Sequence, residues 1–383
     1  MKVLHLVNDE KFIDFIARQF ALSGDEHRYI VHQPGGTLRH IKSVEPWRIV
    51  GDSYFSSPTL QQDLAACDAL IVHFMTPMAA RLVLQAPHHL IIAWSGWGAD
   101  YYHLLPGGDM ALLGAETARI ERRLQRRKAL RHPVAMAKFL LGRLRRHSLQ
   151  SRLILPAVRR VQLFSAPLPE DYTLLQKALG AGFPAQYSQI NYASEEETFA
   201  IGAVELSGND ILVGNSASAS NNHVEAFKLL ARHDLTGRKV VVPLSYGDAD
   251  YRDEILRQGT TILGQHFDPI VDFMPLADYN AHIARCAVVV MNHQRQQALG
   301  NIGTLLYQGA RLFFDERNVV YDFLRRHGAH VYRTAELPNE SAFAPLTASQ
   351  RQHNRQVLQD FWGRDKVAAN TVQFMNTLRH LHA

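Results

Sequence analysis

The sequence is poor in cysteine: Cys67 and Cys286 are the only two in 383 residues. Both sit among alanines and apolar neighbours (AACDALIV, ARCAVVV), the setting of small buried hydrophobes. Two distant thiols build neither a disulfide frame nor a zinc finger, and a reducing, cytoplasmic setting fits them. Long apolar runs are lacking too, since no stretch approaches the ~18 residues of a spanning helix. The opening MKVLHLVNDE has no apolar core followed by a cleavage site, so no signal peptide is expected. The phosphate-binding motif GxxxxGK[ST] is missing, which excludes a P-loop hydrolase. A dinucleotide fingerprint is missing as well: Gly96-Trp97-Gly98-Ala99-Asp100-Tyr101 puts tyrosine where the third glycine belongs and a tryptophan where a pyrophosphate would lie. Twenty histidines include no HExxH, and His88, His89, His147 and His327 read as surface or cap residues. No metal and no bound cofactor are therefore expected.

What is present is an ordinary globular composition, 46% hydrophobic and 20% charged, long enough for two domains. Short β-branched runs at 3–8, 28–33, 69–74, 90–97, 161–166 and 186–192 alternate with helical spacing over 11–22, 78–84 and 171–179. After an acidic stretch the alternation restarts: strands at 211–216, 239–246, 287–292, 310–316 and 329–334, helices at 222–233, 250–258, 277–285, 301–308 and 319–326. Two further helices fit 347–362 and 365–381. Strands alternating with helices imply parallel sheets. The expected fold is α/β, two doubly wound Rossmann-like domains facing across a cleft, with a hinge near 193–208. The expected division is residues 1–195 with a basic helical insertion at 109–160, residues 208–345, and C-terminal helices 346–383 packing on or crossing back toward the first domain.

The net charge of +5 hides a division. Residues 1–192 carry 23 basic and 15 acidic side chains, and residues 119–160 alone carry 14 basic residues against Glu121. Everything outside that segment sums to −8. Residues 120–131 are cationic with few apolar positions, whereas 133–144 (PVAMAKFLLGRL) place Met136, Ala137, Leu140 and Leu144 at helical spacing. The segment suits an anionic membrane surface through Arg122, Arg123, Arg126, Arg127, Lys138, Phe139, Arg143, Arg145 and Arg146. Its other reading is a solvated helical hairpin. A single aromatic and no recognition module argue against nucleic acid.

In doubly wound folds ligands sit beyond the carboxyl ends of the strands. Two loops of the second domain fit. Gly214-Asn215-Ser216-Ala217-Ser218-Ala219-Ser220 is small and polar before a helix, either an anion site or an ordinary N-cap. Asn292 to Thr304 combines Arg295 with the amides of Gln296 and Gln297 and with Gly300 and Gly303, where a helix is expected to open at Asn301 to Thr304. A diphosphate would find charge, donors and a helix dipole there. In the first domain Asp100 follows a buried strand and reads either as a general base or as a cap. Asn8 and Asp9 carry the same ambiguity.

The ordered motifs Trp97-Gly-Ala-Asp-Tyr-Tyr102, Ile211-Leu-Val-Gly-Asn-Ser216 with Ser220-Asn-x-His223, Lys239-Val-Val-Val-Pro243 with Tyr246, and Arg295-Gln-Gln297 with Ile302-Gly-Thr-Leu305 resemble a known family. It is that of the TDP-N-acetylfucosamine:lipid II N-acetylfucosaminyltransferases, glycosyltransferase family 56, of enterobacterial common antigen assembly. The resemblance covers roughly residues 90–310 and implies a metal-independent GT-B hexosyltransferase. It would move a deoxyamino sugar (4-acetamido-4,6-dideoxygalactose-like) from a TDP-sugar to a lipid-diphosphate-linked saccharide, attached peripherally to the cytoplasmic face of the bacterial inner membrane. It implies donor contacts by Asn215, Ser216, Ser220, Tyr246, Arg295, Gln296, Gln297, Asn301, Gly303 and Thr304, and acceptor contacts by Asn8, Trp97, Gly98 and Tyr101. Asp100 would be the base, with Asp9 second. The alternatives are a GT-B enzyme of an O-antigen, capsule or other glycan pathway, or a nucleotide- or sugar-binding module without turnover.

Overall fold

The computed structural model describes residues 1–43, 47–131, 150–200, 205–337 and 340–383. They form two compact units. The first comprises Met1–Pro106, the described part of Leu140–Ser194, and Arg364–Ala383; the second comprises the described part of Gly107–Phe139 and Glu195–Gly363.

The first unit is built on seven parallel strands in the order β3-β2-β1-β4-β5-β6-β7. These are β1 (Lys2–Asn8), β2 (Glu26–His32), β3 (Trp47–Val50), β4 (Ala69–His73), β5 (Ile91–Ser95), β6 (Leu163–Ser165) and β7 (Gln186–Tyr187). Every residue of β4 and β5 is buried, because helices cover both faces of a parallel sheet; this is why ALIVH and IIAWS read as unbroken apolar runs. Val3, Val7, Ile16, Phe20, Ile71, Ala93 and Phe374 share one core. The last of these comes from the helix Arg364–His382, so the chain's final helix packs in its first unit.

The second unit has six parallel strands in the order β10-β9-β8-β11-β12-β13: β8 (Asp210–Val213), β9 (Val240–Pro243), β10 (Phe267–Ile270), β11 (Cys286–Met291), β12 (Arg311–Phe314) and β13 (Tyr332–Arg333). In each sheet the chain reverses its direction of growth beside the first strand, between β1 and β4 and between β8 and β11. Those switch points open crevices where ligands lodge.

Three sequence expectations change. The edge strands β3 and β10 were not expected; β10 reads FDPI and is only half-buried, so it carries no apolar run, and its proline is tolerated at a sheet edge. The helix Ala115–Arg131, expected in the first domain, packs in the second unit: Ile120 and Leu124 enter the core of Val213, Phe227, Tyr251 and Val290. The helix expected from Asn301 begins at Leu299.

Candidate functional site

At the β8 and β11 ends of the second unit, Gln297 is the hub of a polar cluster. Its Nε2 donates to Asn215 Oδ1 at 2.7 Å and to Asn221 Oδ1 at 3.4 Å. Its Oε1 accepts from Ser220 Oγ at 2.7 Å and from Arg295 Nε at 3.0 Å, which fixes the plane of the guanidinium. Asn215 Nδ2 in turn donates to Tyr246 Oη at 3.0 Å. Tyr246 remains 59% exposed, so its hydroxyl is anchored while its ring offers an open apolar face. Asn215, Ser216 and Gln296 are buried. His293, whose pKa burial drives down to about 4, lies with Nδ1 2.9 Å from the Arg295 carbonyl and 2.8 Å from Asn318 Nδ2. It holds the Arg295 loop from below.

The helix Leu299–Gln308 starts from Ala298 in the left-handed region, φ 59°. Ile302 N–H already bonds the Ala298 carbonyl at 2.9 Å. The amides left for a ligand are therefore those of Leu299, Gly300 and Asn301, not those of Gly303 and Thr304, which fall inside the i to i−4 ladder. A Cβ on Gly300 would meet open space, whereas one on Gly303 would come within 2.5 Å of the Phe199 ring. Gly303 is thus a packing glycine, and Thr304 is buried behind it. Asn301 Nδ2 donates to Tyr279 Oη at 3.1 Å. Tyr279 and Asn221 were not singled out from the sequence; the Ser220-Asn-x-His223 motif contained the second, and nothing local marked the first.

In the first unit both candidate bases are engaged by fixed donors. Asp100 is 1% exposed. Its Oδ2 accepts from Met75 N–H at 2.9 Å and Trp94 Nε1 at 2.8 Å, and its Oδ1 from Trp97 N–H at 2.8 Å. Burial raises its pKa, against the pull of these donors. The carboxylate ties β4, β5 and the turn through Gly98 (φ 98°) together and has no face toward a substrate. Asp9 accepts from the backbone N–H groups of Arg39 (2.6 Å), His40 (3.0 Å) and Ile41 (3.0 Å). Burial pushes its carboxyl up, and these amides outweigh that and hold it below the usual range. It staples a loop. Tyr101, offered as an acceptor contact, is 1% exposed and lies against Trp94 and Phe164. Asn8 ends β1 half-buried. Trp97 is half-buried, edge-on to Phe12, Phe74 and Tyr192.

Behind Trp97 runs a chain of hydrogen bonds. Ser23 Oγ, His27, His5, His73 and Tyr192 Oη lie in series, with 2.9 Å between Ser23 and His27, between His27 and His5, and between His5 and His73. Tyr192 Oη donates to Ser95 Oγ at 2.7 Å. With that donor spent on Ser95, Tyr192 Oη accepts from His73 Nδ1–H, and each imidazole–imidazole contact holds one proton between two ring nitrogens. All three histidines are held neutral: burial lowers His5 well below its usual value, His73 to about 3 and His27 to about 4.

The basic helix Ala115–Arg131 is bolted to the second unit. Asn222 Oδ1 accepts from Gly114 N–H at 2.8 Å, and Glu225 caps the helix start through Glu116 N–H, Thr117 N–H and Thr117 Oγ1. Arg123 pairs with Glu254, and Lys128 with Asp248 and Asp250. Part of the cationic charge is thereby answered internally. Arg122, Arg126 and Arg127 are exposed, as is Leu130 at 77%. Lys138, Phe139, Arg143, Arg145 and Arg146 lie outside the described residues. Among the described residues no helix is long and apolar enough to cross a membrane.

The fold is that of the GT-B glycosyltransferases. A sucrose-phosphate synthase from Thermosynechococcus elongatus superposes with a TM-score of 0.63 at 9% identity, over 99% of this chain and 100% of that one. An alpha,alpha-trehalose-phosphate synthase (UDP-forming) from Burkholderia vietnamiensis gives 0.62 at 10%, over 99% and 100%. An E. coli trehalose-6-phosphate structure bound with UDP-2-fluoro glucose gives 0.62 at 10%, over 99% of both chains. Residues 183–369 are similar to the family model described as 4-alpha-L-fucosyltransferase glycosyl transferase group 56.

Proposed function

We propose that the chain transfers a 4-acetamido-4,6-dideoxygalactose-like sugar from a TDP-sugar to a hydroxyl of a lipid-diphosphate-linked saccharide, in a bacterial surface polysaccharide pathway of the enterobacterial common antigen kind. The observation that carries the donor half is the Gln297 cluster. A guanidinium fixed by Gln297, the small hydroxylated loop Asn215–Ser220 and three unbonded helix amides converge at the switch point of one sheet.

As the acceptor oxygen bonds the anomeric carbon, the bond from that carbon to the diphosphate oxygen breaks, negative charge builds on the leaving group, and the acceptor hydroxyl's proton passes to the departing diphosphate or to water. Arg295 and the amides of Leu299, Gly300 and Asn301 meet that charge without reorganising. The Tyr246 ring is the surface for the base. The acceptor half rests on the Trp97 loop with Asn8 and Gly98, and neither Asp100 nor Asp9 is given the role of base.

Docking on the cytoplasmic face of the inner membrane is assigned to the basic helix. Arg119, Arg122 and Arg126 are spaced by three and four residues and so share one face, with Leu130 exposed beside them. Each such cation contributes ~1 kcal/mol near anionic lipid.

Turnover of a TDP-linked deoxyamino sugar onto a lipid-linked disaccharide, followed by mass spectrometry, tests the reading. A mass increase of one deoxyamino sugar is expected. Transfer only from UDP- or GDP-sugars would move the enzyme to another glycan pathway.

A further inference from the structure

The switch point of the first sheet lies between β1 and β4, and the loops beyond it carry an aromatic rim. Phe12 stands beyond β1, Phe74 directly after β4 and Trp97 in the turn after β5; all three are half-buried. The Trp97 ring centroid is 5.9 Å from that of Phe74 and 6.3 Å from that of Phe12, at interplanar angles of 79° and 88°. We propose that Phe74 and Trp97 form the stacking surface for a pyranose ring of the acceptor saccharide, which makes Phe74 a binding residue of the acceptor half. The proposal rests on the acceptor reading above and adds the sugar ring as the contacted group.

Phe74 is held in a costly backbone conformation. Its φ is 82°, in the left-handed region, where a bulky side chain is strained. The surrounding bonds enforce it. Phe74 N–H donates to the Ser95 carbonyl at 3.1 Å, Thr76 N–H to the Phe74 carbonyl at 3.0 Å, and Met75 N–H to Asp100 Oδ2 at 2.9 Å. Glycine would take this conformation freely, and the core gains nothing from the ring, since it is Met75, 2% exposed, that turns inward. Among the described residues three that are not glycine have positive φ, and each stands beside a switch point: Phe74 after β4, Asn222 in the loop region after β8, and Ala298 after β11. The last two flank the Gln297 cluster. Strain of this kind gathers at ligand sites, and Phe74 is its counterpart in the first unit.

The rest of the rim suits a sugar ring better than an ion. The carboxylates of Asp9 and Asp100 are taken up by internal donors. Glu10 and Lys11, exposed neighbours beyond β1, offset one another. Lys11 Nζ already lies over Phe12 at 5.0 Å, which leaves Phe74 and Trp97 as the platform. Asn8, half-buried at the end of β1, makes no side-chain hydrogen bond among the described residues. A pyranose has a face of C–H bonds and an edge of hydroxyls. The negative face of an aromatic ring attracts the first, and a primary amide, donor and acceptor at once, meets the second.

Saturation-transfer NMR of the full chain with the methyl glycosides of N-acetylglucosamine and glucose, beside turnover on a lipid-linked disaccharide, tests the proposal. Irradiating the aromatic protons of wild type is expected to saturate the ring C–H protons of the glycosides. Phe74→Gly and Phe74→Ala should lose most of that transfer and raise the acceptor KM about tenfold, the worth of one aromatic contact. Phe74→Tyr should restore both. Phe74→Gly is expected to melt above Phe74→Ala, because glycine takes φ 82° without strain. All three variants keep the wild-type thermal response to nucleotide, and the NMR measurement needs no donor, so failure here is distinct from failure of the donor reading. Absence of saturation transfer in wild type, equal transfer in Phe74→Gly, or an acceptor KM unchanged in Phe74→Gly would overturn the proposal. A Phe74→Ala variant that melts above Phe74→Gly would remove the strain on which it rests.

Discussion

The two switch points use their polar side chains in opposite ways. At the first, Asp100 and Asp9 are consumed by fixed donors: an indole N–H and five backbone amides hold the two carboxylates. At the second, amides and hydroxyls bond one another around Gln297, and a guanidinium and an exposed ring stand at the rim. A polar residue just beyond a buried strand can therefore be either a brace or a site. The donors that reach it decide which.

Substitutions at the two edges should separate accordingly. Arg295→Ala removes the fixed cation at the departing diphosphate and is expected to lower kcat by about 10²–10³, with little change in the urea midpoint. Asp100→Ala should do the reverse. It orphans three buried donors, each worth about 1–3 kcal/mol, so the urea midpoint drops while turnover per folded molecule stays near that of the parent. If Asp100→Ala instead folds normally and loses turnover, Asp100 is a catalytic residue and the contrast between the edges collapses.

Acid should break the first unit's histidine chain. His5, His27 and His73 are neutral when folded and have depressed pKa values. The unfolded chain therefore binds more protons below pH 6.5, and stability is fully present above that pH. It is lost as pH falls toward 4, at up to about 1.4 kcal/mol per pH unit for each histidine. His223 and His293 act in the same direction from the second unit. Asp171, which burial raises to about 7, opposes them over the same window. Denaturant titrations of wild type and His5→Phe between pH 7 and pH 4 check this: the variant should show a shallower loss.

Gly303→Ala sharpens the second edge. A methyl within 2.5 Å of Phe199 should cost about 1–3 kcal/mol by overpacking, seen in thermal unfolding, with nucleotide affinity unchanged. The smallest expected effect is at the basic helix. Reversing Arg122 and Arg126 to Glu should reduce co-sedimentation with anionic liposomes and leave turnover on a soluble acceptor intact.

Much of this was legible in the sequence where burial made it so. The runs ALIV and VVV marked central strands because both their faces are covered, and the charge of residues 119–160 stood out by counting. The edge strands β3 and β10 left no such mark, since half-exposed strands need no apolar run. The helix Pro58–Ala65 had a local signal, Ser57 before proline, whose Oγ accepts from Leu60 N–H at 3.3 Å; its apolar face is short. In the second unit's site, Arg295-Gln-Gln297 and Asn215-Ser216 were readable as a pattern because their chemistry is local. The role of Asp100 was not, because one of its donors, Met75, is distant in sequence. The assignment of the basic helix to the second unit failed for the same reason: Glu225, Asp248 and Glu254 lie more than a hundred residues from the side chains they hold.

The most direct test is the thermal response of the full chain to TDP, UDP and GDP, in wild type and in Arg295→Ala. A ligand at a hundred times its Kd stabilises by about 2.7 kcal/mol. TDP is expected to raise Tm more than UDP or GDP, and Arg295→Ala to abolish the rise while the unliganded Tm holds. No shift with any of the three nucleotides, or a TDP shift of full size in Arg295→Ala, would contradict a nucleotide-sugar site built around Gln297.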